Sequence, residues 1–152
     1  YCVKLKPNGI HPLYLLALLN SRFLSDYTFR AFTGYKMVQP QIELEDLRGM
    51  PIRTLAFTLD AKDRETLAAE GKKLFEHESE QAAEGFPLLS ALVDEWLASN
   101  CDDAVHDVLV FLAEEAVKLR SPENADKSRA LRVDNAIDAV VYRLYDVTPK
   151  FR

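Results

Sequence analysis

The chain has 152 residues, 48% hydrophobic and 28% charged, the balance of a soluble globular protein long enough to bury a core without metal or disulfide. No apolar run approaches the roughly 18–20 residues of a membrane span, because residues 13–19 (LYLLALL) lead straight into Asn20, Ser21 and Arg22. The net charge of −5 argues weakly against nucleic-acid binding, but it is unevenly distributed.

Residues 1–53 carry seven Lys/Arg against four Asp/Glu, a net of about +3, whereas residues 54–152 carry twelve against twenty, a net of about −8. The N-terminal third therefore suits a phosphate backbone and the remainder is repelled by one. Cys2 and Cys101 lie far apart and read as free thiols in a reducing, cytoplasmic compartment. The opening YCVKLK, with no initiator Met, reads as an excised part of a longer protein.

In chain order, residues 3–6 alternate apolar and basic, which predicts a short half-exposed strand. Pro7, Asn8 and Gly9 form a turn, and Pro12 suits the first position of a helix that is apolar on nearly all sides. Ser21 starts a second helical segment with Phe23, Leu24, Tyr27, Phe29 and Phe32, and Gly34 ends it. Residues 35–42 predict a strand or hairpin, residues 43–48 a single helical turn, and residues 50–52 (MPI) a strand or extended segment. Everything beyond is helical: residues 60–80, 88–98, a third helix capped by Asn100 or Asp102, and 128–145 after a linker at 121–124.

No catalytic motif is present: no phosphate loop, GxSxG elbow, HExxH, CxxC, nuclease carboxylate–lysine pattern or (N/D)PP(Y/F) methyltransferase signature. Cys101 and His106 fall on different helix faces, which suits a core-adjacent thiol and a surface or capping imidazole rather than a metal site. His77, between Glu76, Glu78 and Glu80, reads as solvated. Asp102 and Asp103 suit a helix N-terminus, and Glu114 and Glu115 an exposed face.

Three segments carry a resemblance. YLLALLNSR, from Tyr14 to Arg22, resembles a segment of the recognition domains of type I restriction specificity subunits, γ-class adenine-N6 DNA methyltransferases and fused type IIG restriction–modification enzymes. As in those families, an aromatic stretch (residues 23–32), Gly34, a polar segment (35–43) and an L-x-x-M-P-I element from Leu47 to Ile52 follow in order. NAIDAVVYRLYDVT, from Asn135 to Thr148, resembles the ending of type IIG and γ-class enzymes, with Asp146 where Gly is usual and Val147 where Leu is usual. Residues 57–127 match neither.

The resemblance implies an α+β, predominantly helical chain: the distal part of a target-recognition domain at 1–55, small and mixed, then a helical bundle or arm at 56–152. It implies a non-catalytic fragment that helps recognise duplex DNA. An upstream domain of the same parent chain would bind S-adenosylmethionine and methylate adenine N6 after flipping the base. Lys4, Lys6, Arg30, Lys36, Arg48 and Arg53 are the candidates for phosphate. Gln39 and Gln41 can pair with adenine, and Lys36 can donate to guanine. The alternative is a helical interaction module that docks a methyltransferase or partner subunit and never touches DNA.

Overall fold

The computed structural model describes residues 9–33, 43–82 and 84–147. Among them the secondary structure is entirely helical: α1 (Pro12–Asn20), α2 (Arg22–Thr28) running into a π-helical turn (Phe29–Thr33), α3 (Leu44–Arg48), α4 (Ala61–Glu80), α5 (Pro87–Ala98), α6 (Asp102–Leu119) and α7 (Lys127–Leu144). The expected α+β class is therefore corrected to a helical bundle. The strand expected at residues 3–6, the hairpin at 35–42 and the stop at Gly34 lie outside the described residues. Residues 50–59 form no strand because side chains of other elements, not a neighbouring strand, take up several of their backbone groups. The Asp103 carboxylate accepts from the Thr58 and Leu59 N–H groups at 3.0–3.1 Å, and Tyr145 Oη accepts from the Arg53 N–H at 3.1 Å.

The helix ends follow local chemistry. Pro12 sits in the first turn of α1, and Ser21, Asp60 and Asp126 cap α2, α4 and α7 through their side chains. Asn100 does not cap α6: with φ +57° it closes α5 in a Schellman motif, Cys101 N–H donating to Trp96 O at 2.8 Å. The α6 N-cap is Cys101, which makes no side-chain cap bond.

One core spans the chain. Tyr14, Ala17, Leu18 and Leu24 from the N-terminal third join Phe75, Leu89, Trp96, Val105, Leu109, Leu112, Val133, Val140, Val141 and Leu144. The core is thus continuous across residue 55. In α1 only the Tyr14, Ala17 and Leu18 stripe is buried, and Leu16 faces out, so the apolar helix is not enclosed on all sides.

Helices α4 and α5 meet at a buried carboxylate. Glu78 Oε1 and Oε2 accept from the Leu88 and Leu89 N–H groups at 2.8 and 3.0 Å, satisfying the start of α5. Phe86, just before α5, takes a left-handed φ of +50°, a costly conformation for a bulky residue. It is held there by burial and by stacking on Phe75, ring centroids 5.8 Å apart. Among the described residues no helix is long and apolar enough to cross a membrane.

Candidate functional site

The three segments of the resemblance meet in space. Helix α7 packs on α1 and α2, and Asp138 of α7 reaches the start of α2: Oδ1 accepts the Arg22 backbone N–H at 2.7 Å and Oδ2 pairs with Arg22 Nε at 3.1 Å. An anion there satisfies an orphan N–H and complements the helix dipole. Arg22 Nη2 also donates to Asn135 Oδ1 at 3.3 Å. One turn further along α7, Phe23 packs edge-on against Tyr142 and tilted against Tyr145, centroids 6.5 and 4.6 Å away.

Tyr145 then ties in the third segment. Its hydroxyl donates to Pro51 O at 2.6 Å and accepts from the Arg53 N–H. Tyr14 Oη donates to Arg53 O at 3.2 Å, and the Arg53 guanidinium donates to Leu144 O at the end of α7. Burial raises the Tyr14 and Tyr145 hydroxyls above the usual phenol range, so both stay protonated as donors. Burial also raises the Asp138 carboxyl, against the opposing pull of the Arg22 N–H and guanidinium.

The end of α7 gives the departure from Gly at Asp146 a physical meaning. Val147 N–H donates to Tyr142 O at 2.8 Å and Asp146 N–H to Arg143 O at 3.0 Å, a Schellman closure with Asp146 at φ +53°. Glycine takes that conformation freely, and Asp is among the few other residues that tolerate it.

A second polar cluster lies beside the joint. Of the surface and capping alternatives for His106, the surface one does not hold: the ring is buried, its Nε2 accepts the His11 backbone N–H at 3.0 Å, and its Nδ1 faces Asp107 Oδ1 at 2.8 Å. Both ring nitrogens are thus occupied, and the ring is packed between Tyr14 and Phe57, each 5.1 Å away. Arg64 grips Asp107 from α4 with Nε at 2.9 Å and Nη2 at 2.6 Å. Burial alone would raise the Asp107 carboxyl. The hydrogen bonds and charges of His106 and Arg64 outweigh it, and the carboxyl lies below its ordinary range.

This sets a pH dependence. A lowered carboxyl contributes stability that is present above the unfolded carboxylate range and lost as pH falls through the folded value. Asp107→Asn is expected to cost about 1–2 kcal/mol at neutral pH. The melting-temperature gap to the parent should narrow between pH 7 and pH 3; a gap that stays constant rules the ion pair out as its source.

Of the sequence-derived DNA candidates, Lys4, Lys6, Lys36, Gln39 and Gln41 lie outside the described residues. Arg30 is exposed on the π-helical turn, and Arg48 is exposed and paired with Glu45. The Phe32 ring lies against Gly49, so the elements on either side of residues 34–42 are neighbours. Arg53 is committed to the joint. Sequence reasoning does not find the roles of Asp138, Asp103, Glu78 and His106, because each acts on a backbone N–H distant in the chain. Asp138 and Asn135 do stand within the resembling segment at 135–148, and that is the available signal.

Chemically the joint is a clamp. The Tyr14 and Tyr145 hydroxyls are engaged with backbone, and the Asp138 oxygens with the backbone N–H and guanidinium of Arg22. Among the described residues no group of three or more His, Cys, Asp or Glu could hold a metal ion. No protein-family model, curated protein or solved structure matches the chain.

Proposed function

We propose that the chain is the non-catalytic C-terminal part of a cytoplasmic restriction–modification adenine-N6 DNA methyltransferase. In this reading it helps hold and recognise duplex DNA, while an upstream domain of the parent chain binds S-adenosylmethionine and methylates the base. The observation that supports the reading is the convergence of the two resembling stretches on one clamp: Tyr14 to Arg22 and Pro51 to Arg53 from the first, and Asp138 to Tyr145 from the second. Segments far apart in sequence that share one joint form a scaffold for the stretch between them, and residues 34–42 hold Lys36, Gln39 and Gln41.

The test is a gel shift on mixed duplexes at several salt concentrations. Lys36→Ala with Arg30→Ala is expected to weaken binding to all sequences and to lower the salt slope by about one for each phosphate left without its cation. Lys62→Ala with Lys73→Ala, both exposed on α4, serves as the control pair and should change little. A control pair that weakens binding more than the N-terminal pair overturns the assignment.

A second reading, docking of a methyltransferase or partner subunit without DNA contact, is favoured by the pairing of cations within the helical body. Arg64 pairs with Asp107, Arg120 with Asp134, Arg129 with Glu76 and Arg143 with Asp94, so these four guanidiniums are held by carboxylates of the same body, whose balance is acidic. No shift of any duplex at low salt, by the fragment and by the parent protein alike, selects that reading.

A further inference from the structure

We propose that the start of α1 is a proton-sensitive latch, closed by the neutral rings of His106 and His11 and opened when they gain a proton. Two imidazoles act there on one short stretch of main chain. His106 Nε2 accepts the His11 backbone N–H at 3.0 Å, and His11 Nδ1 accepts the Leu13 N–H at 3.2 Å as the cap of α1. For α2, α4 and α7 the capping oxygen belongs to Ser21, Asp60 and Asp126, which accept throughout the neutral range. An imidazole nitrogen accepts only while it carries no proton. Imidazole is also the side chain whose ordinary change of charge falls between pH 5 and pH 8.

The surroundings decide where the added proton goes. Around the His106 ring stand Asp103 and Asp107 of its own helix, Arg64 of α4, Tyr14 of α1 and His11 of the entering segment, with the uncharged Phe57 ring beside them. With Nε2 accepting, the neutral ring holds its hydrogen on Nδ1 and donates it to Asp107 Oδ1 at 2.8 Å. A second proton must therefore enter at Nε2, where it faces the His11 N–H donor to donor. Asp107 attracts the charged ring, and Arg64, which grips both Asp107 oxygens, repels it. Asp103 is engaged with the N–H groups of Thr58 and Leu59, and burial keeps the Tyr14 hydroxyl protonated. The ring thus keeps its bond to Asp107 and loses the one to His11. A proton on His11 Nδ1 removes the cap at Leu13 in the same way. Closure belongs to the neutral form and is lost as pH falls. The Asp107 carboxyl lies below its ordinary range, so its pairing with Arg64 persists through this window. Opening reaches the clamp, because Tyr14 packs on His106 and donates to Arg53 O. The latch holds whether or not the N-terminal third touches DNA.

The experiment is NMR of the full chain at pH 8 and pH 5. At pH 8 the ring nitrogen shifts of His106 are expected to place the hydrogen on Nδ1. Protection of the His11 and Leu13 amides from water exchange, corrected for the intrinsic rate, is expected to fall about tenfold at pH 5, while Val108 and Leu109 in the core of α6 keep theirs. His106→Gln puts an amide oxygen, which gains no proton, within reach of the His11 N–H, and that amide should stay protected at pH 5. His11→Ser supplies a cap that gains no proton, and should hold the Leu13 amide at both pH values. His77, exposed at the end of α4 and bonded to Gln81, is the control, and His77→Gln should change neither response. A hydrogen on His106 Nε2 at pH 8 overturns the proposal, as does protection of His11 and Leu13 that is the same at pH 5 as at pH 8. It also fails if a folded chain carrying His106→Gln and His11→Ser loses protection at pH 5 as the parent does.

Discussion

Gly71→Ala is expected to lower the stability of this protein by about 1–3 kcal/mol. Helix propensity alone gives the opposite sign, since alanine in a helix interior is favoured over glycine by about 1 kcal/mol. Space decides the matter. Gly71 is buried in the middle of α4, and a methyl group there would stand 2.5 Å from Val108 Cγ2 and 2.9 Å from Trp96 Cη2. Val108 is fully buried on α6, and Trp96 is buried on α5, so neither can withdraw without moving its helix. At Gly71 the α4 backbone therefore lies close against side chains of α5 and α6. Thermal or urea unfolding measures the effect. A variant that melts at or above the parent temperature shows that the three helices can separate at little cost.

The same residue shows what is legible in the sequence. The helix around Gly71 can be read from its Ala, Leu, Glu and Lys content, and its start at Asp60 from cap chemistry. The close approach that makes Gly71 necessary cannot, because Trp96 and Val108 come from other helices. Helices α4 to α7 are legible because each has an apolar stripe of helical period and polar or Gly/Pro punctuation. The boundary between α5 and α6 is not, because Asn100 is a good candidate for either the end of one helix or the start of the next, and only φ separates them.

The N-terminal third is less legible. Residues 50–52 are expected as a strand or extended segment, and they have no strand partner among the described residues. Backbone groups of residues 50–59 are satisfied by Tyr145, Asp103 and Tyr14, none of which local pattern connects to them. His106 is expected as a surface or capping imidazole. It is buried because the His11 backbone, 95 positions away, supplies the bond that its Nε2 needs. The clamp is half-visible: the motif that contains Asn135, Asp138, Tyr142 and Tyr145 stands out, but nothing in the sequence says that it closes on Arg22 and Pro51.

Asp103→Ala is expected to destabilise the fold by roughly 2–5 kcal/mol, the larger of these effects. Asp103 is fully buried in the first turn of α6, and its two oxygens hold the N–H groups of Thr58 and Leu59. Truncation leaves those donors without a partner and opens a small void beneath the connection between α3 and α4, two costs that act together. Asp103→Asn separates them. With its carbonyl in the place of Oδ2 the amide still accepts from both Thr58 and Leu59, but the –NH₂ group then stands where Oδ1 also faces the Thr58 N–H, and the charge that strengthens these bonds is gone. The asparagine variant should therefore recover part of the loss but not all of it. The effect should also be local in origin: hydrogen exchange at Thr58 and Leu59 should accelerate in both variants before the core amides of α6 and α7 do. If Asp103→Ala melts like the parent and the Thr58 and Leu59 amides exchange no faster, the carboxylate does not hold this segment, and packing of Ile52, Leu55 and Phe57 must fix it instead.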